Sequence, residues 1–145
     1  MAHVLEQGYD WVLWHDADTL VADASVRIES LVAAAGQAQG AAGPDLIVTE
    51  DAGGVNAGVW LAHRSAWTAI FLQRWWAMRT RWARPRGDTK SGDNDALKAL
   101  LAREARWPYG RVGVLPQCAF NSYVLGKSLA GLGVSGVRGC KGKSL

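Results

Sequence analysis

Short apolar runs alternate along the chain with longer segments whose apolar residues recur every three or four positions. The runs at 10–14, 45–49, 58–62 and 111–115 predict buried strands. The periodic segments predict three helices, one capped by Ser25 and running to 35, one capped by Ser65 and running to 78, and one over about 93–106. This alternation predicts an α/β fold with a mostly parallel sheet flanked by helices.

A pair of acids follows the first predicted strand. Asp16 and Asp18 are two residues apart, and on an extended backbone such residues point to the same side. Two carboxylates at a strand end can hold Mn²⁺ or Mg²⁺, and such an ion can neutralise a diphosphate leaving group. The motif is short and is also typical of a solvated loop. Its position favours function, because ligands gather at the carboxyl ends of strands in α/β sheets.

A second acidic group opens the third predicted helix. Asp93, Asn94 and Asp95 are suited to capping that helix and to complementing its dipole. The same side chains could instead hold sugar hydroxyls or stabilise positive charge on an anomeric carbon. The two roles do not exclude each other.

Two further segments carry amide side chains next to predicted strands. Asn56 and Gly58 come after a Gly-Gly pair, which indicates either a plain turn or a backbone that a ligand approaches closely. Gln117 and Asn121 follow the last strand, either in a surface loop or as amides that recognise hydroxyl groups.

Composition describes an ordinary globular domain. The 145 residues are 49% hydrophobic and 20% charged, which excludes a disordered tail, a coiled coil and a disulfide miniprotein. Charge is unevenly distributed: residues 1–51 carry nine acids and one base, a net of −8, and residues 52–145 carry four acids and fifteen bases, a net of +11. This asymmetry predicts a cation on one side of a site and an anion on the other.

Several residue types add little chemistry. Cys118 and Cys140 lack zinc-ligand spacing and either pair or remain thiols. At helical spacing the tryptophans are more often core than ligand platform. The bases between 79 and 90 favour a solvated face, and no nucleic-acid-binding pattern accompanies them, so we expect no nucleic-acid partner.

Four ordered segments resemble a known family. They are 9–20, 56–67, 93–97 and 116–123, and their motifs are His-Asp-Ala-Asp, Asn-Ala-Gly-Val-Trp-Leu, Asp-Asn-Asp-Ala-Leu and Pro-Gln-Cys-Ala-Phe-Asn. Together they resemble the galactosyl/xylosyl/mannosyl transferases of glycosyltransferase family 34. The resemblance implies a GT-A-like, Rossmann-related fold, a nucleotide-sugar donor, a glycan acceptor, Mn²⁺ (or Mg²⁺) as cofactor and transfer with retention of anomeric configuration.

The resemblance also implies residue roles. Asp16 and Asp18 would be the metal-binding DxD. The donor sugar would lie against Asn56, Gly58, Asn94 and Asn121, with Asp93 and Gln117 at the reaction centre. In the tail, Lys141 and Lys143 would add positive charge near the diphosphate.

Two departures from the family pattern matter. The family's His-x-x-Gly-Cys has Gly136 in place of the histidine, followed by Gly139 and Cys140. Only fifteen residues precede Asp16, where the family has a nucleotide-binding half and a membrane anchor. We therefore expect a single partial domain over 1–145, with its core at 9–125 and an irregular basic tail at 126–145, lacking that N-terminal half.

Three further expectations follow from the resemblance and the departures. Location in the Golgi lumen or membrane is implied by the family. The alternative to an active transferase is an inactive remnant that binds a sugar or a partner. Because a partial sheet exposes a strand edge, we expect the isolated chain to form oligomers or aggregates.

Overall fold

One four-stranded sheet organises the protein. The computed structural model describes residues 2–21, 23–39, 43–51, 53–80, 92–104 and 111–122. The strands are β1 (Trp11–His15), β2 (Leu46–Asp51), β3 (Gly54–His63) and β4 (Val112–Pro116), and they lie in the order β1-β3-β2-β4. The helices are α1 (Ala2–Glu6), α2 (Ile28–Gln39), α3 (Ala66–Ala77) and α4 (Gly92–Glu104), with short 3-10 helices at Met78–Thr80 and Gln117–Ala119.

The prediction of a mostly parallel sheet is wrong for the strand pairings. β3 pairs antiparallel with both β1 and β2, and only the β2–β4 pairing is parallel among the described strands. The cause is a hairpin that strand–helix alternation did not reveal. Asp51 pairs with Gly54 across a two-residue turn, where Gly54 takes a φ of +95° that favours glycine. The segment 50–56, which lies between two of the predicted strands, is therefore mostly strand.

Strand direction still follows the α/β pattern. β1 and β2 are both antiparallel to β3, and β4 is parallel to β2, so β1, β2 and β4 run the same way. Their carboxyl ends therefore meet the first residues of β3 at one edge of the sheet. This edge is hereafter called the carboxyl edge.

Helices cover both faces of the sheet, as the α/β prediction requires. Central β2 alternates its side chains between the faces, with Leu46 and Val48 in one core and Ile47 in the other. The first core includes Phe71 of α3 and Leu97 of α4, and the second includes residues of α2. Leu46, Ile47 and Val48 are almost completely buried, so β2 is the centre of the fold.

Element starts depend on capping chemistry. Ser65 is confirmed as the cap of α3, because its hydroxyl accepts a hydrogen bond from the Thr68 N–H at 3.1 Å. Ser25 does not cap α2, which begins at Ile28. Its hydroxyl instead donates to Asp23 at 2.6 Å in a preceding turn. α1 has no counterpart among the predicted elements, and no helix in the described part of the chain is long and apolar enough to span a bilayer.

Candidate functional site

The carboxyl edge gathers residues that are far apart in sequence. Asp16 follows β1, Asn56 and Gly58 lie in β3, and Asn121 follows β4. The Asp16 N–H donates to the Gly58 carbonyl at 2.8 Å, which extends the β1–β3 ladder by one pair. The Asn121 side chain donates from Nδ2 to Asn56 Oδ1 at 3.0 Å. The structure thus brings together four of the residues that the sequence singled out.

Three oxygen atoms surround the bare face of Gly58. A Cβ atom at this position would lie 3.0 Å from Asn56 Oδ1, 3.5 Å from Asp16 Oδ2 and 3.8 Å from Asn121 Oδ1. Glycine avoids these close contacts, and the surrounding atoms are hydrogen-bond acceptors. We call this arrangement the oxygen cradle. Its chemistry suits hydroxyl donors or a hard cation.

Hydrogen bonds hold Asn56 in one orientation. Its Oδ1 accepts from the Gly58 N–H at 2.7 Å and from Asn121, and its Nδ2 donates to Asp51 Oδ2 at 2.8 Å. Asn121 itself is buried, with 7% of its surface exposed. Because both amides are fixed, the cradle is preorganised and does not need to be assembled by a ligand.

Asp51 is a site residue that the sequence analysis missed. Its Oδ2 holds Asn56, and its Oδ1 accepts from the Gly53 N–H at 2.6 Å. The sequence signal was the Asp-x-Gly-Gly turn itself. Had 50–56 been identified as a hairpin, Asp51 and Asn56 would have been placed on adjacent strands near its tip.

The start of α4 is joined to the same edge. The Asn94 Oδ1 accepts from the Ala57 N–H at 3.0 Å, between Asn56 and Gly58. Asp93 precedes it in the first turn, with its side chain exposed, and the backbone carbonyl of Asp93 accepts from the indole N–H of Trp75 at 3.0 Å. The oxygen of Asn94 is therefore engaged with the backbone, while Asp93 lies one residue away at the edge.

The DxD segment differs from its expected backbone. Residues 16–19 form a turn, in which the Asp16 carbonyl accepts from the Thr19 N–H at 3.1 Å and from the Thr19 hydroxyl at 2.6 Å. The expectation that Asp16 and Asp18 share one side of an extended strand is therefore wrong. Asp16 is half-buried beside Gly58, whereas Asp18 is exposed and forms no hydrogen bond or ion pair with the described residues.

The remaining site predictions have different outcomes. Gln117 begins the 3-10 helix after β4, and its backbone carbonyl accepts from the Asn121 N–H at 3.1 Å, so its visible role is to position Asn121. Cys118 is exposed. Lys141, Lys143, Gly136 and Cys140 lie outside the described residues. Within the described part of the chain, no group of three or more His, Cys, Asp or Glu residues is arranged to hold a metal ion.

Comparison with known proteins identifies the family. The model of the galactosyl transferase GMA12/MNN10 family matches residues 34–132, a span that includes Asn56, Gly58, Asp93 and Asn121 and begins after Asp16. The probable alpha-1,6-mannosyltransferase MNN10 of Saccharomyces cerevisiae (strain ATCC 204508 / S288c) is 30% identical over 79 residues, which cover 54% of this chain and 20% of the yeast protein.

The chain thus spans about a fifth of the length of this curated relative. No solved structure matches it. The family match nevertheless extends over more than half of the chain and confirms the family resemblance. The chain belongs to the galactosyl transferase GMA12/MNN10 family, a family of glycosyltransferases.

Proposed function

We propose that the carboxyl edge binds a nucleotide sugar and takes part in metal-dependent transfer of a hexosyl or pentosyl residue to a glycan acceptor, with retention of anomeric configuration, in a GT-A-like domain. The observation that carries this proposal is the oxygen cradle. It places Asp16 Oδ2, Asn56 Oδ1 and Asn121 Oδ1 around one glycine, from three parts of the chain that are far apart in sequence.

The metal proposal rests on the donor set at the DxD turn. Asp16 and Asp18 offer carboxylate oxygens, which are the ligands that Mn²⁺ and Mg²⁺ prefer. Asp16 Oδ2 faces the space beside Gly58 and the Asp18 carboxylate is exposed, so Asp16 would hold such an ion with Asp18 as a second carboxylate, and substrate phosphate oxygens would complete the shell, as is common in Mg²⁺ sites. When bound, the ion would neutralise negative charge on the nucleotide diphosphate.

The sugar proposal rests on the acceptor character of the cradle. A sugar presents hydroxyl groups, and the Asp16 carboxylate oxygen and the Asn121 amide oxygen near Gly58 can accept hydrogen bonds from them, while Asn56 Oδ1 is already engaged by Gly58 and Asn121. Because Gly58 has no side chain, a hydroxyl can approach the backbone there. Asp93, at the start of α4, is suited to stabilise positive charge that develops on the anomeric carbon. The resemblance implies that Gln117 lies at the same reaction centre.

The family and the yeast relative guide the choice of donor. UDP-linked sugars come first by resemblance, and a GDP-linked mannosyl donor comes second because the relative is named a mannosyltransferase. Location in the Golgi, the part of Lys141 and Lys143 in diphosphate binding, and oligomerisation of the isolated chain belong to the same proposal.

Donor turnover tests this function. The chain is incubated with Mn²⁺, one nucleotide sugar at a time and a mixture of oligosaccharide acceptors, and released nucleoside diphosphate is measured. We expect one donor to be turned over, and we expect Asp16→Asn to abolish that signal. The matched control is Asp10→Asn, because Asp10 also flanks β1 but is paired with Arg64 at 3.0 Å at the other end of the strand.

The anomeric configuration of the product tests retention separately. NMR of the first product formed should show the configuration of the donor. Inversion would overturn retention and leave transfer intact. Absence of turnover and of Mn²⁺-dependent nucleotide binding in a well-folded preparation would support the inactive remnant and overturn the proposal for this chain.

A further inference from the structure

Two indole N–H groups donate hydrogen bonds to acidic residues of the site, one to a carboxylate and one to a backbone carbonyl. Trp14 donates from Nε1 to Asp16 Oδ1 at 3.1 Å, and Trp75 donates from Nε1 to the backbone carbonyl of Asp93 at 3.0 Å. Trp14 is in β1 and Trp75 is in α3, so these contacts come from different elements. Neither contact follows from the motifs that identified Asp16 and Asp93.

A third tryptophan joins these two. The rings of Trp14 and Trp60 are stacked, with centroids 6.2 Å apart and 25° between planes. The rings of Trp60 and Trp75 are tilted, with centroids 5.2 Å apart. Trp60 lies in the core at 5% exposure, so the outer two rings pack against a rigid centre.

The backbone of Asp16 is already fixed without Trp14. Its N–H is bonded to Gly58 and its carbonyl to Thr19. The remaining freedom is rotation of the carboxylate about its side-chain bonds. The indole N–H holds Oδ1, which leaves Oδ2 directed toward the space above Gly58.

We propose that Trp14 is a positioning residue that fixes the Asp16 carboxylate in the orientation that binds the metal ion. The ring contacts through Trp60 to Trp75 set this carboxylate relative to the start of α4. The inference rests on the proposed function for its metal ion, but the hydrogen bond itself can be tested without one.

Partial exposure of Trp14 agrees with this role. The residue is 44% exposed, which is unusual for a tryptophan whose only task is to fill a core. A phenylalanine could supply the ring packing on Trp60. It could not supply the N–H that reaches Asp16, so the two contributions can be separated by one substitution.

Trp14→Phe is therefore the test variant, and Trp76→Phe is its matched control. Trp76 is also exposed, lies beside Trp75 in α3 and carries the Arg79 guanidinium over its ring at 4.9 Å, away from the Asp16 contact. Mn²⁺ binding is measured from the loss of the free-ion electron paramagnetic resonance signal, and folding is checked by thermal unfolding.

We expect Trp14→Phe to weaken Mn²⁺ binding by about 10-fold, at the lower end of the effect of residues that orient metal ligands, with little change in the unfolding midpoint. Trp76→Phe should leave Mn²⁺ affinity unchanged. Equal Mn²⁺ affinity in Trp14→Phe and the unsubstituted chain would overturn the inference, as would an equal loss in Trp76→Phe.

A second readout covers the case in which no variant binds Mn²⁺. The indole ¹⁵N–¹H resonance of Trp14, assigned by its disappearance in Trp14→Phe, should shift in Asp16→Asn and stay in place in Asp10→Asn. If the chain binds no Mn²⁺ but this resonance shifts as expected, the metal part of the proposed function fails and the fixing of Asp16 by Trp14 is supported. If the resonance does not respond to Asp16→Asn, the inference is overturned.

Discussion

Carboxylates at the two ends of the sheet have different partners. At the end where β1, β2 and β4 begin, Asp45 is bonded to Arg111 and lies 3.3 Å from His63 Nδ1, and Asp10 is paired with Arg64. At the carboxyl edge, Asp16 is held by an indole N–H and Asp18 is exposed. Neither of these two acids has an ion pair with a described residue.

The difference separates stability from binding. A buried carboxylate such as Asp45 requires an opposite charge, because leaving it unpaired in the interior is costly. Among the described residues, no cationic side chain pairs with Asp16 or Asp18 at the place where a cation is proposed to bind. Hydrogen bonds hold Asp16 in position without an ion pair. Its carboxylate is therefore preorganised to bind a cation.

Loss of the Asp45 charge should give the largest effect on stability. Asp45→Asn leaves Arg111 without its buried partner, and we expect the free energy of unfolding to fall by about 3 kcal/mol, at the low end for a buried pair because Arg111 is half-exposed. Urea unfolding measures the change. A loss below about 1 kcal/mol would be that of an exposed salt bridge. It would contradict the claim that Asp45 stabilises this end of the sheet.

Removal of the Asn121 amide should have a smaller effect. Asn121→Ala takes away the donor to Asn56 Oδ1, and we expect about 1.5 kcal/mol of lost stability together with weaker donor binding. Ser122→Ala is the neighbouring control, because the exposed Ser122 hydroxyl donates a long hydrogen bond of 3.4 Å to the Gln117 carbonyl rather than to Asn56. If both variants behave alike, Asn121 does not support the cradle.

A methyl group placed in the oxygen cradle should weaken donor binding. In Gly58→Ala the new Cβ would lie 3.0 Å from Asn56 Oδ1, and we expect donor affinity to fall about 10-fold, equal to about 1.4 kcal/mol. Isothermal titration calorimetry with the donor and Mn²⁺ measures this loss.

A glycine in a different setting provides the control. Gly36 is in α2, and nothing lies within 4 Å of the position of a Cβ there. Gly36→Ala should therefore stabilise the chain by about 0.5–1 kcal/mol through helix propensity and leave donor affinity unchanged. Unchanged donor affinity in Gly58→Ala would contradict the cradle as a ligand site.

The exposed ion pair should give the smallest effect. Asp10 and Arg64 are both largely solvent-accessible, so Asp10→Asn should change the free energy of unfolding by about 0.5 kcal/mol, and this change should shrink in high salt. Unfolding curves at low and high ionic strength check both statements. A large, salt-independent loss would show that stability at this end depends on more than the buried Asp45.

The sequence predicted elements better than it predicted pairings. All four predicted strands and all three predicted helices are present, because apolar spacing and caps such as Ser65 are local properties. The antiparallel β2–β3 pairing was missed because the acids and glycines of 50–56 are typical of a loop as much as of a hairpin tip. Strand order is a nonlocal property that no local pattern contains.

The sequence predicts several residues of the site but not how they are arranged in space. Asp16, Asn56, Gly58 and Asn121 were chosen individually, and the structure brings them together. The supporting contacts from Trp14, Asp51 and Thr19 escaped notice because they depend on turn conformation and on the hairpin register. Asp16 and Asp18 do not share a face for the same reason, since β1 ends at His15 and a turn follows.

Manganese titration of three chains tests most directly whether the carboxyl edge binds a cation. Loss of the free Mn²⁺ resonance signal is measured, in the presence of UDP, for the unsubstituted chain, Asp16→Asn and Asp10→Asn. We expect Asp10→Asn to bind Mn²⁺ like the unsubstituted chain and Asp16→Asn to bind at least about 100-fold more weakly, because loss of a ligand should cost no less than loss of a residue that only orients one. Equal Mn²⁺ affinities for Asp16→Asn and Asp10→Asn would contradict the assignment of the carboxyl edge as the cation site.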